Sequence, residues 1–254
     1  GERMTVENPS SGLTDTFTRT VSNGWGTADS GDVWTTSGGS ASDYSVNGSS
    51  GLVSLGSVNV RRFTVTPVGP NITIYDSVTV PVTATGASIS GGYVARYTDD
   101  NNFYLYQILH DSGGLIDLQI VKRVAGTFTT LGSASDIIGY TPGVPTHVRC
   151  LCSGSTLAVK IWRDGSVEPA AYQLTATDTT FTSGSVGTHS NLLSSNTNTL
   201  PVVVTYDNIG VAAAGVAGSS SPQTFTVTRS VNGIVKAHDA GDAVTLFQPA
   251  ELAI

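Results

Sequence analysis

The central part of the chain, residues 92–130, contains three alternating apolar and polar runs separated by two turn sequences. The runs cover residues 93–97, 103–109 and 115–123, and the sequences TDDNN (98–102) and HDSGG (110–114) lie between them. Alternation with a period of two indicates strands, and short turns rich in Asp, Asn and Gly join antiparallel neighbours. The sequence therefore predicts a three-stranded antiparallel meander.

The same alternation assigns the side chains of the meander to two faces. If Tyr97 lies opposite Phe103, and Leu109 opposite Leu115, one face is apolar enough to be a core. This predicted core face consists of Val94, Arg96, Tyr104, Tyr106, Ile108, Ile116, Leu118 and Ile120. The other face mixes aromatic rings with amides and charges, and consists of Tyr93, Tyr97, Phe103, Leu105, Gln107, Asp117, Gln119 and Arg123.

A polar face that also carries aromatic rings is typical of a sugar-binding surface. Rings stack on the apolar faces of pyranoses, while amides and charged groups bond the hydroxyls. An ordinary solvated sheet face is the alternative interpretation. A slip of one residue would exchange the two faces, so Arg96 is added to the candidates. The predicted ligand-binding residues are Arg96, Tyr97, Phe103, Gln107, Asp117, Gln119 and Arg123.

Length and composition indicate one large all-β domain. The chain has 254 residues, of which only 12% are charged, and this length is sufficient to bury a full core without disulfides or metals. No window combines a helical apolar stripe with capping residues. About a dozen short strand candidates at regular spacing favour a two-sheet antiparallel sandwich of jelly-roll type.

Several partner classes are disfavoured by charge and hydropathy. The net charge is −7, and the 12 Lys and Arg residues are scattered, so we expect no nucleic-acid partner. No apolar run is long enough to cross a bilayer, which predicts no membrane insertion. The first ten residues lack the basic start and apolar stretch of a signal peptide. A start at Gly1 without Met is what a fragment of a longer protein would show.

The cysteines and histidines do not predict a metal site. Cys150 and Cys152 lie two residues apart in a strand-like run, which puts them on one face about 6.5 to 7 Å apart, at or beyond the limit for an unstrained disulfide. We therefore expect free, buried thiols. The four histidines lie in separate segments, so zinc ligation is not expected.

The two ends of the chain differ in composition from the middle. A break at ENPSSG (7–12) follows the first short strand, and VAAAGVAGSSS (211–221) reads as a linker of small residues. Residues 223–254 contain further strand candidates but cannot bury a core alone. We predict that residues 1–12 and 223–254 form one small β-unit, with a jelly-roll domain (13–212) inserted between them and a linker at 213–222.

Several motifs carry a family resemblance over about residues 14–211. These are DTFTRTVSNGWGTADSGDVW, GGYVARYTDDNNFYLYQI, KIWRDGSVEPAAYQLTATD, GSVG and YDNIGV, in that order. They resemble the concanavalin A-like (laminin G-like) jelly-roll domains that are common in secreted proteins of actinobacteria and in their phages. The flanks, GERMTV together with SSPQTFTVTRSVNGIVKAHDAGDAVTLFQPAELAI, resemble the C-terminal region of minor tail proteins of actinobacterial phages.

The resemblance implies a biological role and a bound metal ion. Phages commonly place sugar-binding jelly-rolls in their tails, which implies a virion tail component that binds host cell-envelope polysaccharide, contacts other tail proteins and forms a homo-oligomer after assembly in the host cytoplasm. Domains of this superfamily often hold a structural calcium where the first and last strands meet. Here that implies Asp15 and Asp207, together with Asp178, although such carboxylates can instead bond backbone amides at strand ends.

A catalytic role is not expected. A glycan hydrolase on this scaffold needs two carboxylates about 5 to 10 Å apart. The only glutamates are Glu2, Glu7, Glu168 and Glu251, and no strand carries the closely spaced acids of jelly-roll glucanases. An aspartate pair such as Asp99 with Asp117 remains an alternative, and so does a purely structural tail module without a glycan ligand.

Overall fold

The computed structural model describes residues 5–7, 12–67, 69–214 and 226–228. Over these residues the chain forms eighteen strands and one short 3-10 helix, Ala41–Asp43. The first nine strands are β1 (Thr5–Glu7), β2 (Leu13–Asp15), β3 (Thr20–Ser22), β4 (Thr35–Ser37), β5 (Tyr44–Asn47), β6 (Gly51–Leu55), β7 (Arg62–Pro67), β8 (Ile72–Thr79) and β9 (Ile89–Asp99). The others are β10 (Asn102–His110), β11 (Leu115–Val124), β12 (Thr127–Gly139), β13 (Thr146–Ser153), β14 (Thr156–Arg163), β15 (Leu174–Thr177), β16 (Ser185–Leu192), β17 (Val202–Ala213) and β18 (Thr226–Thr228).

Two antiparallel sheets form a sandwich, which confirms the predicted all-β class. The seven-stranded sheet has the order β12-β11-β10-β9-β16-β7-β4. The nine-stranded sheet has the order β15-β14-β13-β8-β17-β6-β5-β3, with β2 paired to β17. Neighbouring strands in each sheet are often distant in sequence, as in the Greek-key connections of jelly-rolls.

The main core lies between the two sheets. Alternate residues of β13 (Val148, Cys150 and Cys152) are buried there against the inner residues of β10 and β11. Tyr106 on β10 spans the gap, because its hydroxyl donates to the Leu151 carbonyl of the other sheet at 2.5 Å. Both cysteines are free, as predicted, and burial raises the pKa of each thiol.

The predicted meander is confirmed, with one correction to its faces. Residues of β10 and β11 face the sides that alternation assigned, since the actual pairing of Leu109 with Asp117 differs from the predicted register by two residues, which preserves parity. In β9 a bulge near Arg96, whose φ is +48°, shifts the register. Tyr93 therefore points into the main core and Val94 points away from it, the reverse of the prediction.

The chain divides into two compact units, Gly1–Pro9 with Ser220–Ile254, and Ser10–Ser219. Of the smaller unit the structure describes one antiparallel pair, β1 with β18, in which Val6 lies opposite Val227. The other strands predicted within residues 223–254 lie outside the described residues. Among the described helices, none is long and apolar enough to cross a membrane.

Candidate functional site

The outward face of the seven-stranded sheet is curled into a concave face. β7 and β12 are five strand spacings apart, or roughly 24 Å in a flat sheet. The guanidinium of Arg61, just before β7, nevertheless lies 5.5 Å from the ring centroid of Phe128 on β12. Even two long side chains could not cover this distance unless the sheet curved toward them.

One end of the concave face is filled by an aromatic cluster, defined as Phe63, Tyr97, Phe103 and Phe128. The Phe63 ring lies 5.3 Å from Phe103 and 5.4 Å from Tyr97. Tyr97 stacks on Phe103 at 6.0 Å, and Phe128 meets Phe103 edge-on at 6.3 Å. These separations are typical of favourable aromatic contacts, so the cluster acts as a second small core.

Two predicted ligand contacts belong to this cluster and are not available as stacking platforms. Phe103 is 0% exposed and Tyr97 is 9% exposed. The Tyr97 hydroxyl donates to Asp100, which also accepts from Ser37. Alternation correctly placed both rings on the outward side, but it could not show that the curled sheet packs its own aromatic side chains against one another.

Arg123 closes the same end of the concave face. Its guanidinium stacks 4.9 Å from the Phe128 ring, and it donates to the carbonyls of Gly126 and Asp100. Because Arg123 is only 8% exposed and is engaged by two turns, it serves to hold those turns and not as a free surface cation.

Beyond the aromatic cluster, polar side chains cross the concave face in two adjacent rows, which we call the polar strip. The pairing of neighbouring strands sets both rows. The row nearer the cluster contains His189, Gln107 and Gln119. The row farther from it contains Arg61, Asn191, Ser90 and Asp117, with the apolar Leu109 between the last two. Gly92 lies between His189 and Gln107, and a Cβ there would come within 2.4 Å of the Tyr106 carbonyl. The missing side chain leaves an opening in the nearer row.

Four members of the polar strip have buried polar atoms without a protein partner in the described part of the chain. These atoms are Arg61 Nε, Ser90 Oγ, Asn191 Oδ1 and both ring nitrogens of His189. Ser90, His189 and Asn191 are 0%, 1% and 6% exposed. The inner face of the same sheet also has unpaired polar atoms in the described residues, at Tyr93, His110 and Thr188. The unpaired atoms therefore add hydrogen-bonding capacity to the concave face but do not by themselves distinguish it.

The strip is mostly uncharged at neutral pH. Burial, followed by the nearby positive charge of Arg61, lowers the pKa of His189 to about 3. A neutral imidazole offers one donor and one acceptor, and each glutamine amide offers both as well. Charges occur only toward the two ends, on Arg61 and Asp117, and Asp117 also accepts from the Asp136 backbone at 2.8 Å.

The structure brings together three of the predicted ligand residues, Gln107, Asp117 and Gln119, all partly exposed on the strip. Sequence reasoning missed Arg61, Ser90, His189 and Asn191, which belong to strands that join the sheet from elsewhere in the chain. The alternation in SVGTHSNL (185–192) is the signal that could have identified β16.

Arg96 does not belong to the concave face. It is 4% exposed and donates to the carbonyls of Pro70, Gly154 and Phe181 at 3.1, 2.9 and 2.6 Å. Because the bulge turns this side chain toward the other sheet, Arg96 ties the end of the sandwich together and cannot contact a ligand on the strip.

The three aspartates suggested as calcium ligands have separate partners. Asp15 accepts from Arg19 at 2.6 Å and from the Trp34 indole at 2.7 Å. Asp178 accepts from Lys122 at 2.6 Å; although burial opposes ionisation, hydrogen bonds from Lys122 and Thr180 hold its pKa well below the usual range.

Asp207 lies two residues beyond the point where β2 meets β17, since Asp15 pairs with Ile209. The first and last strands of the domain therefore meet as the resemblance implied. The residues nevertheless do not fit the expected calcium site, because the carboxylate of Asp15 is fully engaged and no group of three or more His, Cys, Asp or Glu gathers within the described residues.

No family model matches the chain, and no curated protein matches it by sequence. Solved structures match the fold. They include a carbohydrate-binding module, CBM66 from Bacillus subtilis (15% identity, TM-score 0.51, 71% of this chain and 95% of that one). A beta-1,3-glucanase from Mycobacterium marinum is similar over 79% of this chain and 97% of its own (12% identity, TM-score 0.51). GH43B from the Bacteroides ovatus xyloglucan PUL is similar over 82% of this chain (16% identity, TM-score 0.56).

At these identities the likeness shows the fold alone. The sandwich is of the jelly-roll type found in carbohydrate-binding modules and in domains of glycan-active enzymes. The chain spans about 40% of the length of GH43B, so it corresponds to one part of that enzyme. Fold class is thus established, and function has to be argued from the site.

Proposed function

We propose that this chain is a non-catalytic carbohydrate-binding module that holds a glycan along the polar strip of its concave face. The observation that carries the proposal is the group of partly exposed polar side chains on this curved face, Gln107, Asp117 and Gln119. Unpaired polar atoms of Ser90, His189 and Asn191 lie beside them. Sugar hydroxyls both donate and accept hydrogen bonds, so they match a strip made of imidazole and amide groups.

The dimensions of the strip suit a short chain and not a single sugar. From Arg61 to Asp117 or Gln119 it crosses four strand spacings, roughly 19 Å in a flat sheet. Gln107 and Gln119 lie directly opposite each other at its β11 end, where both amides are partly exposed. Because the central groups are neutral, the ligand is a glycan in which hydroxyls, not charges, dominate recognition.

The folds of similar structures support this assignment. One neighbour is itself a carbohydrate-binding module, and another is a beta-1,3-glucanase. The polar strip contains one carboxylate, Asp117, where hydrolysis would need two flanking the scissile bond. We therefore propose binding without cleavage; release of reducing sugar by the purified protein would contradict this part.

The biological setting is proposed from the flanks. Their resemblance to phage minor tail proteins supports a role in the virion tail, where the module contacts the host cell-envelope polysaccharide and other tail proteins. Repetition of a weak site around a symmetric homo-oligomer raises the overall avidity without any new contact. In this setting the protein acts outside the host cell after assembly in its cytoplasm.

The binding proposal is tested by removing the two partly exposed amides of the strip, those of Gln107 and Gln119. The double variant Gln107→Ala/Gln119→Ala is compared with Thr129→Ala, an exposed side chain on the neighbouring strand β12. Affinity electrophoresis through gels containing xylan, β-1,3-glucan or purified bacterial wall polysaccharide measures retardation. We expect the wild type and Thr129→Ala to be retarded equally by at least one polysaccharide, and the double variant to bind about tenfold more weakly or worse, a loss of ~1.4 kcal/mol or more.

Both amides are partly exposed, so the double variant is expected to keep its folding stability within about 0.5 kcal/mol of wild type. Retardation of all three proteins alike would show that the strip is not the binding surface. Absence of retardation by every polysaccharide, including wall material from several bacteria, would contradict the proposed function itself.

A further inference from the structure

The outward face of the nine-stranded sheet contains a separate cavity of about 170 Å³. It lies where β17 bulges beside β8, with Asn208 at φ +62°. Tyr75, His147, Arg149, Trp162, Asp207 and Asn208 line it. Because the polar strip belongs to the other sheet and faces away from the sandwich on the other side, the two locations are independent.

Two partly exposed aromatic side chains form the walls of this cavity. The Arg149 guanidinium lies 4.2 Å from the ring centroid of Tyr75. His147 stacks on Trp162 with ring centroids 5.5 Å apart and planes 20° from parallel. Each aromatic wall is thus paired with a nitrogen-rich side chain that can donate hydrogen bonds.

The walls are held in place by acids from the loop that follows β14. Glu168 pairs with Arg149 at 2.7 Å, and Asp164 pairs with the imidazole of His147 at 2.9 Å. A side chain that is fixed before binding loses less entropy when a ligand arrives. These pairs orient the Arg149 and His147 side chains along the walls of the cavity.

Acceptors for hydroxyl groups lie on the opposite side of the cavity. Asp207 is partly exposed, and burial raises its pKa. Its backbone carbonyl accepts from the Ser77 hydroxyl at 3.1 Å, but its carboxylate has no salt bridge within the described ranges. Asn208, at the bulge, adds an amide beside this carboxylate.

We propose that this cavity binds a single pyranose residue, as a second sugar site on the face of the sandwich opposite the polar strip. Its volume admits one sugar ring and not a chain. Tyr75 and Trp162 supply apolar contact, while Asp207, Asn208 and His147 bond hydroxyls. The carboxylate of Asp207, which has no salt bridge within the described residues, disfavours phosphate and other anions. The inference extends the proposed carbohydrate function but concerns a site with different residues and a different ligand size.

The tryptophans provide a direct readout. The chain has three; Trp25 and Trp34 are buried, with indole N–H groups that donate to Leu52 and Asp15, whereas Trp162 lines the cavity. In a nitrogen-15 correlation spectrum of the full chain, Trp162→Phe identifies the Trp162 indole signal. The probes are the methyl glycosides of glucose, galactose, mannose, rhamnose and N-acetylglucosamine, added singly to tens of millimolar.

We expect at least one glycoside to shift the Trp162 indole signal saturably, with a dissociation constant on the order of 1 mM, and to leave the Trp25 and Trp34 signals unchanged. Asp207→Asn, which preserves shape, and Tyr75→Leu are each expected to weaken this binding about tenfold or more. The Trp25 and Trp34 signals also report that each variant is folded.

Three outcomes would overturn the proposal. The first is the absence of a saturable Trp162 shift with any glycoside, and the second is unchanged binding by Asp207→Asn and Tyr75→Leu. The third is a shift caused by calcium chloride alone, which would make the cavity a cation site. The side-chain amide signals of Gln107 and Gln119 report the polar strip in the same spectra, so failure of one site is distinguishable from failure of the other.

Discussion

Both faces of the seven-stranded sheet bury aromatic rings, but by different means. Phe103 and Tyr104 are consecutive residues on β10, they point to opposite faces, and each is 0% exposed. Tyr104 is covered by the core between the sheets, whereas Phe103 is covered by aromatic neighbours on its own sheet. A curled sheet can therefore bury its outward face without a second layer.

The two faces also differ in the polar groups that they leave available to a ligand. On the inner face, the hydroxyl of Tyr104 donates to Asp178 at 2.7 Å. On the concave face, the aromatic cluster occupies one end and leaves the polar strip beside it with unpaired groups at Ser90, His189 and Asn191. The aromatic cluster and the polar strip therefore share one curved face.

The largest expected effect tests whether the concave face is truly packed. Phe103→Ala removes a fully buried ring from the aromatic cluster and is expected to cost about 3 to 5 kcal/mol of unfolding free energy. Phe128→Ala is the matched control, because Phe128 is 45% exposed in the same cluster, and its loss is expected to cost about 1 kcal/mol. Urea unfolding measures the free energy of unfolding of both variants. If Phe103→Ala cost no more than Phe128→Ala, the Phe103 ring would not be buried as the rings of the inner face are.

The next effect concerns the bulge that separates the faces of β9. Arg96→Met keeps the aliphatic stem but removes a buried guanidinium and leaves the three carbonyls that it bonds without their charged donor. The expected cost is about 3 kcal/mol of unfolding free energy. Arg163→Met is the control, since Arg163 is exposed and donates to one carbonyl, that of Gly139; about 0.5 kcal/mol is expected. A cost for Arg96→Met no larger than the control's would mean that the bulge forms without this anchor.

Much of the architecture could be predicted from alternation and turn residues. The meander, its turns and the inward and outward sides of β10 and β11 follow from local sequence. The side assigned to Tyr93 and Val94 was wrong because one residue with positive φ, Arg96, reverses the parity of everything that precedes it in the strand. Such a bulge has no reliable local signal when the residue is not glycine.

The polar strip was harder to predict than the meander, because some of its residues come from strands that are distant in sequence. Gln107, Asp117 and Gln119 lie on consecutive strands, so local pairing places them together. His189 and Asn191 reach the same rows only because β16 is inserted between β9 and β7, and sheet order depends on global packing. Whether an outward ring such as that of Phe103 is exposed depends on curvature, which alternation does not encode.

A smaller effect compares the two faces through one histidine on each. His110 faces the inner core and His189 the concave face, and burial lowers their pKa values to about 4 and about 3. In the unfolded chain each titrates near 6.5. Because the pKa of each histidine is lower in the folded protein than in the unfolded chain, the neutral imidazoles contribute fully to the free energy of unfolding above pH 6.5. This contribution is lost as the pH falls toward the folded pKa values. At pH 5.5 each histidine is expected to have lowered the free energy of unfolding by about 1.4 kcal/mol.

Thermal or urea unfolding between pH 7.5 and 5.5 measures this loss. In the His189→Gln variant, the part of the pH-dependent loss that comes from these two histidines is expected to fall by about half. Histidine ring signals in proton spectra supply the residue-level check: the signals of His110 and His189 should not titrate in this window. If His189 titrated near pH 6.5, water would reach its imidazole at the polar strip. The concave face would then be buried like the inner face only at the aromatic cluster.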